Sequence, residues 1–167
     1  MKTKTMAKRT SSGQLSHVDS SGRVRMVDVG DKAETSREAV ARGRITVGQA
    51  ALRAIRGGTV KKGDPLEAAR LAGIIAAKKT SDLIPLCHQI PLSHVQVEIT
   101  LEKGGYAIEA RVRTTAKTGV EMEALTAVSI AALTLYDMLK ALDKTMVIGE
   151  ICVMEKRGGR SGEYVRK

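Results

Sequence analysis

The stretch from Lys117 to Lys140, KTGVEMEALTAVSIAALTLYDMLK, constrains the fold of this chain more than any other. It carries no charge between Glu123 and Asp137. Val120, Ala124, Ala127, Val128, Ala131, Leu135, Met138 and Leu142 recur at three- and four-residue steps, the period of a buried helical stripe. Charge is confined to the two ends, with Glu121 and Glu123 in the first turn and Asp137 and Lys140 in the last. Acids at the start and a cation at the end complement the helix dipole. Asp137 does not, because a carboxylate near a helix C-terminus faces the negative pole. Asp137 and Lys140 are neighbours on one face and can form an ion pair or a proton-transfer couple. Glu123 lies roughly 320° of rotation and about 21 Å of rise before Asp137. No small reacting atom can touch both, so the two ends serve either an extended ligand or different copies of a site shared between subunits.

The rest of the chain supplies a sheet for this helix. RVRMVDVG, with Val24 to Val29, has the composition of a short strand, and Val40, Ile45 and Val47 favour another over 36–47. Gln49 to Arg56 reads as a short helix ended by Gly57-Gly58. Asp64 and Pro65 form an N-cap and first-turn pair, followed by LEAARLAGIIAAKK with small residues along one face. SDLIPLCHQIPLSH, punctuated by Pro85 and Pro91, reads as a loop. Alternation over 94–102, a Lys103-Gly104-Gly105 turn, and alternation of Tyr106, Ile108, Ala110, Val112 and Thr114 mark an antiparallel hairpin. Met146 to Met154 reads as a final strand. From residue 36 the order is β-α-β-β-α-β, an α+β, ferredoxin-like arrangement with helices packed on one face of an antiparallel sheet. The expected organisation is a disordered basic tail over 1–14, one catalytic domain over 15–156 and a Gly-rich basic tail over 157–167. The fold leaves function open, because it hosts enzymes, regulatory modules and RNA binders alike.

Composition narrows the partners. The formal net charge is +10, which raises nucleic acid, membrane surface or phosphorylated substrates. Much of that excess sits near the termini, on Lys2, Lys4, Lys8 and Arg9 and on Lys156, Arg157, Arg160, Arg166 and Lys167. Three Tyr with no Phe or Trp give almost nothing on which bases could stack. These features argue against nucleic acid as the partner. Thr126, Ser129 and Thr134 interrupt the long helix, which argues against a membrane span. The N-terminus lacks the apolar core of a secretory signal, and Cys87 and Cys152 are too few for a disulfide scaffold. A cytoplasmic protein is expected.

Several groups can carry chemistry. Cys87 and His88 lie on a loop between two prolines, placed either to meet a ligand or to pack as a small hydrophobe and a capped loop residue. Cys87, His88, His94 and Cys152 match no standard zinc spacing, so no metal site is assigned. Lys61 and Lys62 precede a helix N-terminus, where anions are attracted, and a buried Lys62 can act as acid or base. Arg37, Lys78 and Lys79 are cations whose positions also have ordinary structural explanations. KRGGRSG resembles a flexible phosphate cradle without the Walker lysine pattern. Together these groups suit acid–base chemistry on a phosphorylated small molecule.

The motifs MVDVG near Val27, KGD at 62–64, AGIIAAKKTSDLIPLCH at 72–88, KTGVEMEALTA at 117–127, LTLYDMLKA at 133–141 and the closing GGRSG resemble the MoaC family. The resemblance covers nearly the whole chain. It implies a cyclic pyranopterin monophosphate synthase of molybdenum cofactor biosynthesis, a lyase. Such an enzyme converts 3′,8-cyclo-7,8-dihydroguanosine triphosphate to the cyclic pterin monophosphate and releases pyrophosphate. It also implies a homohexamer, a trimer of dimers with sites at subunit interfaces, and a functional link to the radical-SAM enzyme MoaA that makes the substrate. By motif, Asp137 is the catalytic acid/base residue with Lys62 and Lys140 as proton-transfer partners. Leu86, Cys87, His88, Met122 and Glu123 line the substrate, while Arg37, Lys78 and Lys156 hold the triphosphate. No cofactor is required, and Mg²⁺ can accompany the triphosphate, although no dedicated carboxylate cage is visible. Gln89 stands where the family commonly has Pro, and Arg160 where Lys is usual. The competing reading is a ferredoxin-like ligand- or RNA-binding module without turnover.

Overall fold

The computed structural model describes residues 21–159 and 162–167. The tail expected over 1–14 and the Arg160 substitution lie outside them. The central strand β1 (Thr35–Thr46) shows the two-residue period of a sheet with one covered face. Ala39, Ala41 and Ile45 are buried, whereas Arg42 and Arg44 point away from the core and pair with Glu102. Chain order continues with α1 (Gln49–Arg56), α2 (Pro65–Ala77), α3 (Thr80–Leu83), β2 (His94–Glu102), β3 (Gly105–Ala116), α4 (Glu121–Leu139), β4 (Ile148–Arg157) and β5 (Tyr164–Val165). The sheet is antiparallel in the order β2-β3-β1-β4-β5. The protein is thus α+β and ferredoxin-like, as the element order predicts.

The expected helix start at α2 is made by Asp64, whose Oδ1 accepts the backbone N–H of Leu66 and Glu67 at 2.9 and 3.2 Å. The hairpin has the register that the alternation implies, with Val95 opposite Val112, Val97 opposite Ala110 and Ile99 opposite Ile108. α4 is the core helix: Ala124, Ala127, Val128, Ala131, Leu135 and Leu139 are fully buried. By length and composition it could cross a membrane, so its three hydroxyl residues are not what argues against a span. Its apolar face lies instead on the sheet and on α2. Small residues allow that approach. A methyl group on Gly43 would lie 2.6 Å from Val128 Cγ1, and one on Gly73 would lie 2.9 Å from the Ala127 carbonyl oxygen.

Four sequence expectations are corrected. Val24–Val29 is not a strand. Only Val24 makes an isolated bridge, and the segment is held instead through two backbone carbonyls described below. The loop after α2 contains the turn α3, because the Thr80 hydroxyl donates to the Ala77 carbonyl at 3.0 Å and is buried there. The last long strand starts two residues later than expected and runs to Arg157; beyond it Tyr164–Val165 returns to the sheet. Leu142 lies past the end of α4 and is 46% exposed, while Leu139 completes the buried stripe.

Candidate active site

Three groups of side chains are built around α4, one at its C-terminal end and two near its start. At the C-terminal end, Asp137 stands in the last turn and Lys140 is the C-cap residue. Lys62 reaches them from the loop between α1 and α2. That loop is fixed at one side by Val60, 8% exposed, and at the other by the Asp64 cap, with Gly63 turning at φ +96°. Lys62 Nζ donates to Asp137 Oδ2 at 2.7 Å and to the Asp137 carbonyl at 2.9 Å. Lys140 Nζ lies 2.7 Å from Asp137 Oδ1. Each carboxylate oxygen therefore has its own ammonium, and Lys62 also satisfies a carbonyl that the helix end leaves open.

This arrangement explains how a carboxylate persists at the negative pole of a helix. The hydrogen bond from Lys140, then that from Lys62, hold the Asp137 carboxyl down at about 2. Asp137 in turn raises the Lys140 ammonium above its ordinary value. All three side chains are about half exposed, and ion pairs this open to water contribute little to folding. Their convergence calls for a chemical explanation.

Near the helix start, the loop after α3 brings Cys87 within reach of the Glu123 charge, with His88 next to it in the chain. His88 Nε2 lies 2.8 Å from the Val27 carbonyl; since a carbonyl only accepts, Nε2 carries a proton and donates it there. Glu123 is buried, 4% exposed. Burial, helped by the neighbouring charge of Glu121 and opposed by a backbone hydrogen bond at Glu123, pushes its carboxyl up to about 7. Burial also raises the Cys87 thiol, and the Glu123 carboxylate adds to the effect. Leu86 is half-buried and Met122 exposed beside this group. A shielded carboxyl beside an imidazole and a thiol suits a polar ring with hydrogen-bonding edges.

Beside it opens a cleft of about 560 Å³, lined among others by Arg37, Lys117, Glu121, Lys156, Gly158 and Gly159. Lys156 Nζ is 3.2 Å from Glu121 Oε1, and Lys117 Nζ donates to the Gly30 carbonyl at 2.6 Å. Arg37 Nε is buried with no hydrogen-bond partner among the described residues. A cationic recess with an unsatisfied N–H is chemically fitted to an anion.

The open face of the sheet carries a second recess of about 510 Å³, lined among others by Arg42, Arg44, Glu102, Arg166 and Lys167, in which the strand arginines are already paired. Arg111 and Arg113 are both paired with Glu38, and Arg42 and Arg44 with Glu102. These four arginines are neutralised across strands, and Tyr106 is buried on the helix side, so the sheet is not an aromatic platform for bases. Among the described residues, no group of three or more His, Cys, Asp and Glu side chains is placed to hold a metal ion.

A family model described as the MoaC family matches residues 26–159. The chain belongs to the MoaC family. It is 61% identical over 156 residues to a Chloroflexus aggregans protein named cyclic pyranopterin monophosphate synthase, covering 92% of this chain and 94% of that one. Proteins of the same name from Heliobacterium modesticaldum (57% identical, covering 92% of this chain and 98% of that protein) and Nostoc sp. (58%, 92% and 92%) are similar over the same extent.

In this MoaC chain the expected site residues fall into the three groups. Lys62, Asp137 and Lys140 meet; Leu86, Cys87, His88, Met122 and Glu123 gather at the other end of α4; Arg37 and Lys156 share the cleft. Lys78 does not join them. It caps the end of α2, exposed to solvent, outside the cleft lining. Residue-level reasoning missed Lys117, whose position just before the helix reads as part of its start. It also missed the Val27–Gly30 segment as the part that His88 and Lys117 tie down.

Proposed function

We propose that this chain is a cyclic pyranopterin monophosphate synthase, a phosphorus–oxygen lyase that converts 3′,8-cyclo-7,8-dihydroguanosine triphosphate to the cyclic pterin monophosphate. The observation that carries the reading is the Asp137 carboxylate held at 2.7 Å by both Lys62 and Lys140. Making a cyclic monophosphate from a triphosphate requires an oxygen of the same molecule to attack the α-phosphorus. The bond to the bridging oxygen then breaks, and pyrophosphate leaves with its electron pair. The attacking hydroxyl gives up a proton, and rearrangement of the ring moves others. No electron is transferred.

The resting protons belong to the lysines. A carboxyl held at about 2 is a poor base while both ammoniums face it. When an ammonium swings to a substrate atom and donates, the remaining neutral amine and the released carboxylate are the groups that can take a proton back. Asp137 thereby keeps both lysines close until the substrate draws one away. Glu123, His88 and the Cys87 loop bind the purine-derived ring, while Arg37 and Lys156, with Lys78 from a neighbouring subunit, neutralise the phosphates. The distance along α4 separates the proton-carrying triad from the recess of its own chain, which supports a site completed between subunits; the homohexamer, a trimer of dimers, is what likeness to the family suggests. Such an enzyme works in the cytoplasm on the product of the radical-SAM enzyme MoaA.

The test is Asp137→Asn. The variant keeps the size of the side chain and loses the charge that gathers the lysines. Release of pyrophosphate from the cyclic dihydro-GTP substrate falls at least about 10³-fold, with unchanged circular dichroism and oligomeric state. Wild-type turnover in this variant would rule out the assigned chemistry.

A further inference from the structure

Among the described glycines with left-handed backbone, Gly58, Gly63 and Gly162 have nothing within 4 Å of where a Cβ would stand. They are turn glycines and nothing more. Gly158 and Gly159 differ. At φ +91° and +82° they share the left-handed conformation that glycine adopts without strain, and they are also pressed against Arg37. A methyl group on Gly158 would lie 2.2 Å from the Ser36 carbonyl oxygen and 3.3 Å from Arg37 Cδ. One on Gly159 would lie 1.7 Å from Arg37 Nη1 and 2.7 Å from Cζ. The backbone leaving β4 lies directly on the guanidinium, so that any Cβ at 159 would have to displace it. On the same side chain, Nε is buried and lacks an acceptor among the described residues.

We propose that Gly158 and Gly159 are positioning residues for phosphate recognition. Their left-handed turn clamps the Arg37 guanidinium in the cleft, so that its donors wait for a polyphosphate oxygen. The inference rests on reading the cleft as the polyphosphate subsite. An unclamped arginine loses rotamer freedom when it binds an anion, whereas one already fixed by packing loses less. The bare backbone at 158–159 therefore tightens phosphate binding without touching phosphate through a side chain. It also explains why two glycines stand together at the edge of a charged recess.

The experiment is a double-mutant cycle between Gly159→Ala and Arg37→Ala in the full-length protein, with Gly58→Ala as the control for left-handed strain alone. Binding of inorganic pyrophosphate is measured by calorimetry and turnover by steady-state kinetics. Gly159→Ala is expected to weaken pyrophosphate binding and raise KM about 10-fold, to leave kcat within about twofold, and to change nothing further when Arg37 is already Ala. Gly58→Ala is expected to leave pyrophosphate binding as it was. Unaltered affinity in Gly159→Ala, an equal loss in both Arg37 backgrounds, or an equal loss in Gly58→Ala would overturn the positioning role. A different result, full pyrophosphate affinity in Arg37→Ala, would overturn the reading of the cleft itself. Gly158→Ala, whose Cβ meets the Ser36 carbonyl, repeats the cycle should Gly159→Ala fail to fold.

Discussion

Glu123 and Asp137 show how differently one helix can treat two carboxyl groups. Their positions on the helical wheel are close, yet Glu123 is buried near the start of α4 and Asp137 is exposed at its end. Only Asp137 was legible as unusual, because it contradicts the helix dipole; Glu123 agrees with the dipole, so its burial could not be read from spacing. The burial has a thermodynamic consequence. The Glu123 carboxyl is raised from an ordinary 4.5 to about 7 in the folded protein. Between those values the folded chain holds a proton that the unfolded chain has released, so stability falls as pH rises through that window. Above about 7 the full cost of a buried charge is present, on the order of 3 kcal/mol. Glu123→Gln keeps the shape without the charge. Urea unfolding is expected to show the variant more stable than wild type at pH 8, by an amount that shrinks toward pH 5. A wild-type pH slope in the variant would mean that another group carries it. The thiol of Cys87 should follow, reacting faster with iodoacetamide at pH 8 once the neighbouring negative charge is gone.

Elements with a periodic partner were the ones that could be read in advance. β2 and β3 alternate in step and pair as expected, and the small-residue face of α2, suited to close packing on a sheet or a helix, meets α4. Two of the failures share a cause: a segment whose structure depends on groups distant in sequence. Val24–Val29 has the composition of a strand but is not one, and two side chains far along the chain hold it instead, His88 at the Val27 carbonyl and Lys117 at that of the adjoining Gly30. Tyr164–Val165 is too short to announce itself and exists because β4 offers an edge. Contact between α2 and α4 also sets a limit on volume. A methyl group on Gly73 would meet the Ala127 carbonyl, Val97 Cγ2 at 3.2 Å and Ala131 Cβ at 3.3 Å. Gly73→Val must therefore move one helix off the other. Overpacking of this kind costs about 1–3 kcal/mol, and scanning calorimetry should find a melting temperature lowered by roughly 3–10 °C. An unchanged transition would show that the helices separate freely, and that the small-residue seam is not what sets their distance.

At the scale of the whole molecule, α4 is a spacer as well as a core helix. Its continuity over Glu123 to Asp137 holds the Lys62–Asp137–Lys140 cluster about 21 Å from the group at its start, a separation already visible in the sequence. What the sequence could not supply was the grouping of Arg37, Lys117 and Lys156 into one recess, because that depends on β1 and β4 lying side by side. If each working site takes the triad from one subunit and the recess from another, two inactive variants should complement. Asp137→Asn damages only the triad and Arg37→Ala only the recess, so neither homo-oligomer makes product at the wild-type rate. Co-refolded in equal amounts, random assembly gives about a quarter of the sites an intact triad from one chain and an intact recess from its neighbour. Pyrophosphate release should then recover to about a quarter of wild type, and should fall again as either variant is put in excess. A site contained within one chain leaves every copy damaged at any mixing ratio, so a mixture no more active than the average of its two parents would place triad and recess in a single subunit, against the geometry of α4.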